Sequence, residues 1–140
     1  MKSAETLFIL LDLYDGAFGP TLRIDIPSRD LLENVTAVFD RVARKQDLKV
    51  DLAHLPFVRP GNVASLELVV DNEEHAQGGG KRLRLRDRAS SGNQFSWYNA
   101  PEAWKGCVDL LVGFTDCPGH QYLTRERIDD ALVEVAYLER

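Results

Sequence analysis

The stretch that decides the fold is Asp129–Tyr137, with the sequence DDALVEVAY, close to the end of the chain. It follows a turn-forming Pro118-Gly119 pair and the polar and aromatic cluster GHQYL at 119–123. Its β-branched and aromatic residues predict a terminal strand. Val133 and Val135 are two positions apart, so they share one face of this strand, and we expect that face to be buried. The strand therefore ties this segment into the core.

Working outward, the composition predicts one globular domain over residues 1–140. Hydrophobic residues make up 44% and charged residues 28% of the 140 positions, as in ordinary globular proteins. The longest apolar run, Leu7–Leu11, is far shorter than a membrane span, and Met1–Glu5 lacks the apolar region of a signal peptide. We therefore expect a cytoplasmic protein with no membrane partner. Cys107 and Cys117 are expected to be free thiols.

The first half of the chain predicts a hairpin, a helix and a third strand. The strands are expected at about Thr6–Tyr14 and Thr21–Ile26, joined by a connection somewhat longer than a tight turn. Ser28 is placed to cap a helix that runs to about Gln46, with apolar residues spaced along one face. The segment 47–62 is broken by prolines, and we expect one short extended piece in it. Val63–Asp71 predicts the next strand.

The second half predicts two more strands and a second helix before the terminal strand. The leucines and arginines of 82–86 alternate, which predicts an edge strand with its arginines facing solvent. An aromatic strand at 94–98 precedes a helix that Asn99 would cap, with Pro101 in its first turn and an end near Phe114. Since hairpin connections dominate, we predict an α+β domain with one mostly antiparallel sheet of about five to six strands and two main helices.

Charge is unevenly distributed along the chain. The net charge is −5, yet the segment 81–88 contains five basic residues and one acid. The remainder is strongly acidic, which disfavours nucleic acid and favours a basic partner. The arginine row of 82–88 lacks the interleaved aromatics of a nucleic-acid track. The acidic positions best able to converge at a sheet edge, and so to bind a partner, are Asp12, Asp15, Asp71, Glu73 and Glu74.

Chemistry-bearing residues suggest no catalytic, cofactor or metal site. Cys107, Cys117 and His120 match no recognisable thiol-enzyme signature, and a second pair of zinc ligands is missing. Asp129 and Asp130 are interpreted as the entry to the terminal strand. A small metal- or thiol-dependent enzyme with a site near Cys117, His120 and Asp129 stays open as an alternative, as does a generic adaptor.

A resemblance points to one class of binding protein. Trp97, then Trp104 and Cys107 on the second helix, then Gly119–Leu123 and the strand Asp130–Val135 resemble small bacterial immunity proteins encoded beside contact-dependent inhibition or Rhs-type toxins. The resemblance implies a cytoplasmic antidote that binds and neutralises one cognate toxin domain by stoichiometric occlusion, without catalytic residues. The acidic balance agrees with a basic nuclease as the target. The resemblance also implies a structural role for Gly119, His120, Gln121 and Tyr122, with the imidazole or amide satisfying loop backbone groups.

Overall fold

The computed structural model describes residues 7–71, 82–89, 92–123 and 129–139. Within these ranges the chain forms two α-helices and nine strands in two mixed sheets, which confirms the α+β class. The elements follow in the order β1 (Ile9–Gly16), β2 (Gly19–Ile26), α1 (Arg29–Ala43), β3 (Lys49–Asp51), β4 (Val58–Pro60), β5 (Val63–Val70), β6 (Leu83–Ala89), β7 (Gly92–Asn99), α2 (Pro101–Val112), β8 (Gly119–Tyr122) and β9 (Leu132–Tyr137).

The strands form two sheets where the sequence predicts one. The first sheet has the order β4-β1-β2-β9-β8 and the second has the order β3-β5-β7-β6. The pairs β2/β9 and β5/β7 are parallel, and each is flanked by antiparallel neighbours. These parallel pairs join strands that are distant in sequence, so no local turn motif predicts them. The strands β3, β4 and β8 are three or four residues long, too short to give a clear alternating pattern.

The β1/β2 hairpin is tighter than predicted. Gly16 pairs with Gly19, so Ala17 and Phe18 alone form the loop. Gly19 has a φ of +112°, a backbone conformation that residues other than glycine rarely adopt. The glycine therefore allows a two-residue connection, and Phe18 lies at its tip.

Both helices follow the sequence closely, with one error at a cap. Ser28 caps α1 as predicted, because its Oγ accepts a hydrogen bond from the Leu31 N–H at 3.2 Å. The helix ends at Ala43, three residues before the predicted end. The prediction that Asn99 caps α2 is wrong: Asn99 is the buried last residue of β7, and Ala100 occupies the cap position without a side-chain hydrogen bond. The first turn of α2 is instead favoured by Pro101, because the fixed φ of proline suits the first position of a helix.

One hydrophobic core unites both sheets and both helices. Trp97 from β7 and Trp104 from α2 are fully buried, as predicted, with ring centroids 4.8 Å apart. Phe39 of α1 packs edge-on against both rings. The Val133 and Val135 side chains of β9 lie in the same core. The prediction of a buried terminal strand is therefore confirmed.

The edge strand β6 is held by two carboxylates. The Asp129 Oδ1 accepts hydrogen bonds from the backbone N–H groups of Arg82 and Leu83 at 2.8 and 2.9 Å, and the Asp130 Oδ2 accepts one from the Leu85 N–H at 2.7 Å. These donors lie along the outer edge of β6, so the carboxylates cover part of an edge that could otherwise pair with another chain. The residues before β9 thus connect the second sheet to the first.

The arginine row on β6 lies as predicted. Leu83 is buried, whereas Arg84 and Arg86 are exposed on an edge strand. Arg86 Nη2 lies 3.5 Å from Glu67 Oε1 and donates to Ser65 Oγ at 3.3 Å. Part of the positive charge of this row is therefore neutralised by Glu67 of β5, which lies on the far side of β7 in the same sheet.

Replacing Val135 by Asp should strongly lower the free energy of unfolding. Val135 is 0% exposed, so the substitution buries a charge among apolar side chains and should cost roughly 3 kcal/mol or more. Gln121, which pairs with Val135 on the exposed strand β8, provides the control Gln121→Glu. Urea unfolding monitored by tryptophan fluorescence measures both; equal midpoints would contradict the register of β9.

Replacing Asp129 by Ala should destabilise the protein by about 2–4 kcal/mol, because two part-buried N–H groups lose a charged acceptor. The matched control is Asp87→Ala, which removes an exposed carboxylate from β6 itself and should change stability by less than about 0.5 kcal/mol. Thermal unfolding of the two variants at equal concentration compares them. Equal melting temperatures would refute the role of Asp129 in holding β6.

Candidate partner-binding face

The core side of the first sheet faces the helices: α1 contacts β2, and Phe114, just after α2, packs against Tyr137 of β9. Core residues such as Leu22, Ile24 and Val135 lie on this side, so their neighbours in each strand point the other way. We call this opposite surface the outer face. Among the described residues, its larger side chains are Leu10, Asp12, Tyr14, Arg23, Asp25, Arg59, His120, Tyr122 and Glu134.

A row of polar side chains crosses four strands of the outer face. Asp12 of β1 lies opposite Arg23 of β2, Arg23 lies opposite Glu134 of β9, and Glu134 lies opposite Tyr122 of β8. Opposite residues share a face and stand close enough to interact. The row therefore joins the N-terminal hairpin to the C-terminal strands.

Glu134 is the centre of this row. Although it points away from the core, it is 5% exposed. Its Oε1 accepts a hydrogen bond from the Tyr14 hydroxyl at 2.9 Å and one from Arg23 Nη1 at 3.4 Å. A carboxylate withdrawn from water needs such partners. The surrounding side chains thus hold a negative charge in a fixed position.

The two tyrosines beside Glu134 are kept in their neutral form. Burial raises the pKa of the Tyr14 phenol, and the hydrogen bond to Glu134 raises it further. Burial also raises the pKa of Tyr122, with the charge of Glu134 as the next cause. Both hydroxyls therefore stay protonated at neutral pH and can donate hydrogen bonds.

His120 extends the network to Glu139. The His120 Nδ1 lies 2.6 Å from Glu139 Oε2, and Glu139 Oε1 lies 3.6 Å from Arg23 Nη2. The hydrogen bond to Glu139 raises the pKa of His120, and the Glu139 charge adds to the effect. The expectation that this imidazole serves loop backbone groups is corrected, because its partner is a carboxylate beyond β9.

Aromatic groups surround the charged row. Phe18, at the tip of the hairpin, is 78% exposed, and its ring centroid lies 6.4 Å from that of Tyr122 with the planes at 82°. The His120 ring lies 6.3 Å from Tyr122 at 86°. Tyr14 and Leu10 are also exposed. Aromatic side chains and arginine are the groups enriched at protein interfaces.

The structure separates the acidic positions that the sequence predicts to converge. The Asp12 Oδ1 accepts a hydrogen bond from the Asn62 N–H at 3.3 Å, just before β5 begins, whereas Asp71 follows the end of β5. Eight residues of extended strand put roughly 25 Å between them. The expected single patch is therefore wrong for this pair. Asp15 lies next to the hairpin loop, and Glu73 and Glu74 lie outside the described residues. As partner contacts these residues stay a prediction.

Of the residues of the alternative enzyme site, Cys117 is an exposed free thiol, whereas His120 and Asp129 have other partners. Cys107 faces the core on α2, and burial raises the pKa of its thiol to about 12. Asp129 holds the β6 backbone, and His120 pairs with Glu139. Among the residues that the structure describes, no group of three or more His, Cys, Asp or Glu side chains could hold a metal ion.

Sequence reasoning missed Arg23 and Glu134, the ion pair at the centre of the outer face. A signal was present, because each is a charged residue within an otherwise strand-like run, TLRIDI and LVEVAY. Alternation placed both on the face away from the core. Nothing in the sequence indicated that their two strands are neighbours.

No protein-family model, curated protein or solved structure matches this chain. Within the described ranges, no helix is both long and apolar enough to span a bilayer.

The pKa of His120 should lie above the ordinary value of 6.5, and Glu139→Gln should return it toward that value. Because a raised histidine pKa marks a favoured charged form, the pair stabilises the fold below pH 6.5 and loses this contribution as the pH rises through the raised pKa. An NMR titration of the His120 Hε1 signal measures the pKa. Glu33→Gln, on an exposed turn of α1, is the control and should leave it unchanged; a wild-type pKa at or below 6.5 would contradict the assignment.

Proposed function

We propose that this protein is an immunity protein that binds one bacterial toxin domain through the outer face and blocks it stoichiometrically. The observation that carries the proposal is the nearly buried Glu134, fixed between Tyr14 and Arg23 on the outer face. A surface whose groups are already ordered loses little entropy on binding. The resemblance to immunity proteins supplies the class of partner.

The charge of the outer face favours a basic toxin. Among its described residues and the adjoining Glu139, four carboxylates, those of Asp12, Asp25, Glu134 and Glu139, outnumber two guanidiniums, those of Arg23 and Arg59. Such an excess speeds encounter with a positively charged partner. A nuclease is basic where it holds nucleic acid. Carboxylates set against that site would occupy the place of the substrate's phosphates, which explains inhibition by occlusion.

The enzyme alternative, with a site near Cys117, His120 and Asp129, has less support. Cys117 is an exposed free thiol, but His120 pairs with Glu139, and Asp129 binds the β6 backbone. The remaining cysteine, Cys107, is buried, and burial raises the pKa of its thiol to about 12, so this thiol stays protonated at neutral pH. The adaptor alternative differs from the proposal in its partner, so the identity of the partner separates the two.

The experiment that tests the proposal uses the neighbouring genes. If a large secreted protein is encoded immediately upstream, its C-terminal domain should arrest growth when expressed alone. Co-expression of this protein should restore growth, and the two should elute as a 1:1 complex in size-exclusion chromatography with light scattering. Growth arrest that persists despite soluble expression of both chains would contradict the proposal.

Replacing Asp12 by Lys should slow association with that toxin domain about tenfold at low ionic strength, because charges at the rim of an interface act on encounter. Asp12 is exposed on the outer face, opposite Arg23. Asp109→Lys, an equal change of charge on the exposed side of α2, is the control and should have a much smaller effect. Stopped-flow fluorescence measures the rates. Equal slowing by both variants would show that net charge, and not the outer face, determines encounter.

A further inference from the structure

We propose that the Phe18 and Tyr122 rings, together with Glu134, form a receptor for one arginine side chain of the toxin. This inference rests on the proposed function and names the contact at its centre. The three residues come from the hairpin loop, β8 and β9, so the receptor exists only where the hairpin loop lies beside the C-terminal strands.

The two rings are arranged as a corner. Their centroids are 6.4 Å apart and their planes are nearly perpendicular, at 82°. A cation within about 6 Å of a ring centroid is attracted to the negative face of the ring. Phe18 takes no part in the described hydrophobic core, and its contact with Tyr122 orients it at the surface. A ring left so exposed, yet held against a second ring, is available to a partner.

A fixed negative charge lies beside the corner. Tyr122 is directly opposite Glu134 in the β8/β9 register, and Glu134 is nearly buried, so water screens its charge poorly. Arg23 neutralises it in part, since its guanidinium lies 3.4 Å from Glu134 and 3.6 Å from Glu139. These distances are longer than those of a close charged hydrogen bond. The acidic excess of the face therefore persists around the rings.

Arginine fits this site better than lysine. Its guanidinium is planar, stacks on aromatic faces and is weakly hydrated, whereas an ammonium is compact and strongly hydrated. The Tyr14 hydroxyl and Arg23 already donate to Glu134 Oε1, so the incoming cation meets an oriented carboxylate and two aromatic walls. The guanidinium stacks on a ring and directs its N–H groups toward the acids.

The experiment uses three short capped peptides as probes: Gly-Arg-Gly, Gly-Lys-Gly and the uncharged analogue Gly-citrulline-Gly. NMR follows the ring signals of Phe18 and Tyr122 during titration of the wild-type protein. We expect saturable shifts with the arginine peptide in the millimolar range, weaker binding of the lysine peptide and no saturation with the citrulline peptide. Equal responses to arginine and citrulline would overturn the proposal, and tighter binding of lysine would overturn the choice of arginine.

Two variants and a control locate the contact. Phe18→Ala and Glu134→Gln should each lower the affinity for the arginine peptide at least about fivefold. Leu48→Ala, which removes another exposed apolar side chain, should leave this affinity unchanged. Because Phe18 lies at the tip of a loop, its replacement by Ala should not affect folding. Unchanged affinity in Phe18→Ala would overturn the proposal even if Glu134→Gln perturbs the fold.

The peptide titration separates this inference from the proposed function. Arginine binding that disappears in Phe18→Ala supports the receptor whether or not the neighbouring toxin is neutralised. Conversely, if the wild-type protein neutralises the toxin but the peptides do not bind selectively, the receptor is refuted and the proposed function stands.

Discussion

The parallel pairing of β2 with β9 is the interaction on which the rest of the structure depends. It places Ile24 beside Val135 in the core and Arg23 beside Glu134 on the outer face. The same pairing thus closes the hydrophobic core on one side of the sheet and creates a polar network on the other. Without it, the hairpin and the C-terminal strands would be separate pieces, each with an exposed apolar face that two strands cannot bury alone.

Desolvation of a charge sets the second constraint. Glu134 is withdrawn from water although it lies on the outer face, so the surrounding side chains must supply what water would have supplied. Tyr14 of β1 and Arg23 of β2 do so. A carboxylate of β9 that depends on donors from β1 and β2 is sensitive to the relative position of the three strands. The charge distribution of the outer face therefore depends directly on the geometry of the sheet.

Local patterns foretold local structure well. The Ser28 cap, the alternation of β2 and the β-branched run of β9 each depend on neighbours within a few residues, and each predicted its element. The pairing of β2 with β9 depends on residues more than a hundred positions apart, which no turn signal encodes. The Asp129 carboxylate looks like a strand entry in the sequence, yet it binds the backbone of another sheet. The expected convergence of Asp12 with Asp71 was wrong for the same reason, since convergence is a property of topology.

The position of β9 between β2 and β8 also has a consequence for synthesis. Arg23 and Glu134 are 111 positions apart, so β2 leaves the ribosome with one edge unpaired and waits for nearly the whole chain. Contacts of such high sequence separation form slowly. A nascent or prematurely terminated chain exposes an open strand edge, which invites aggregation and proteolysis. Quality control would therefore remove incomplete copies, and the molecules that persist are those in which the outer face is fully assembled.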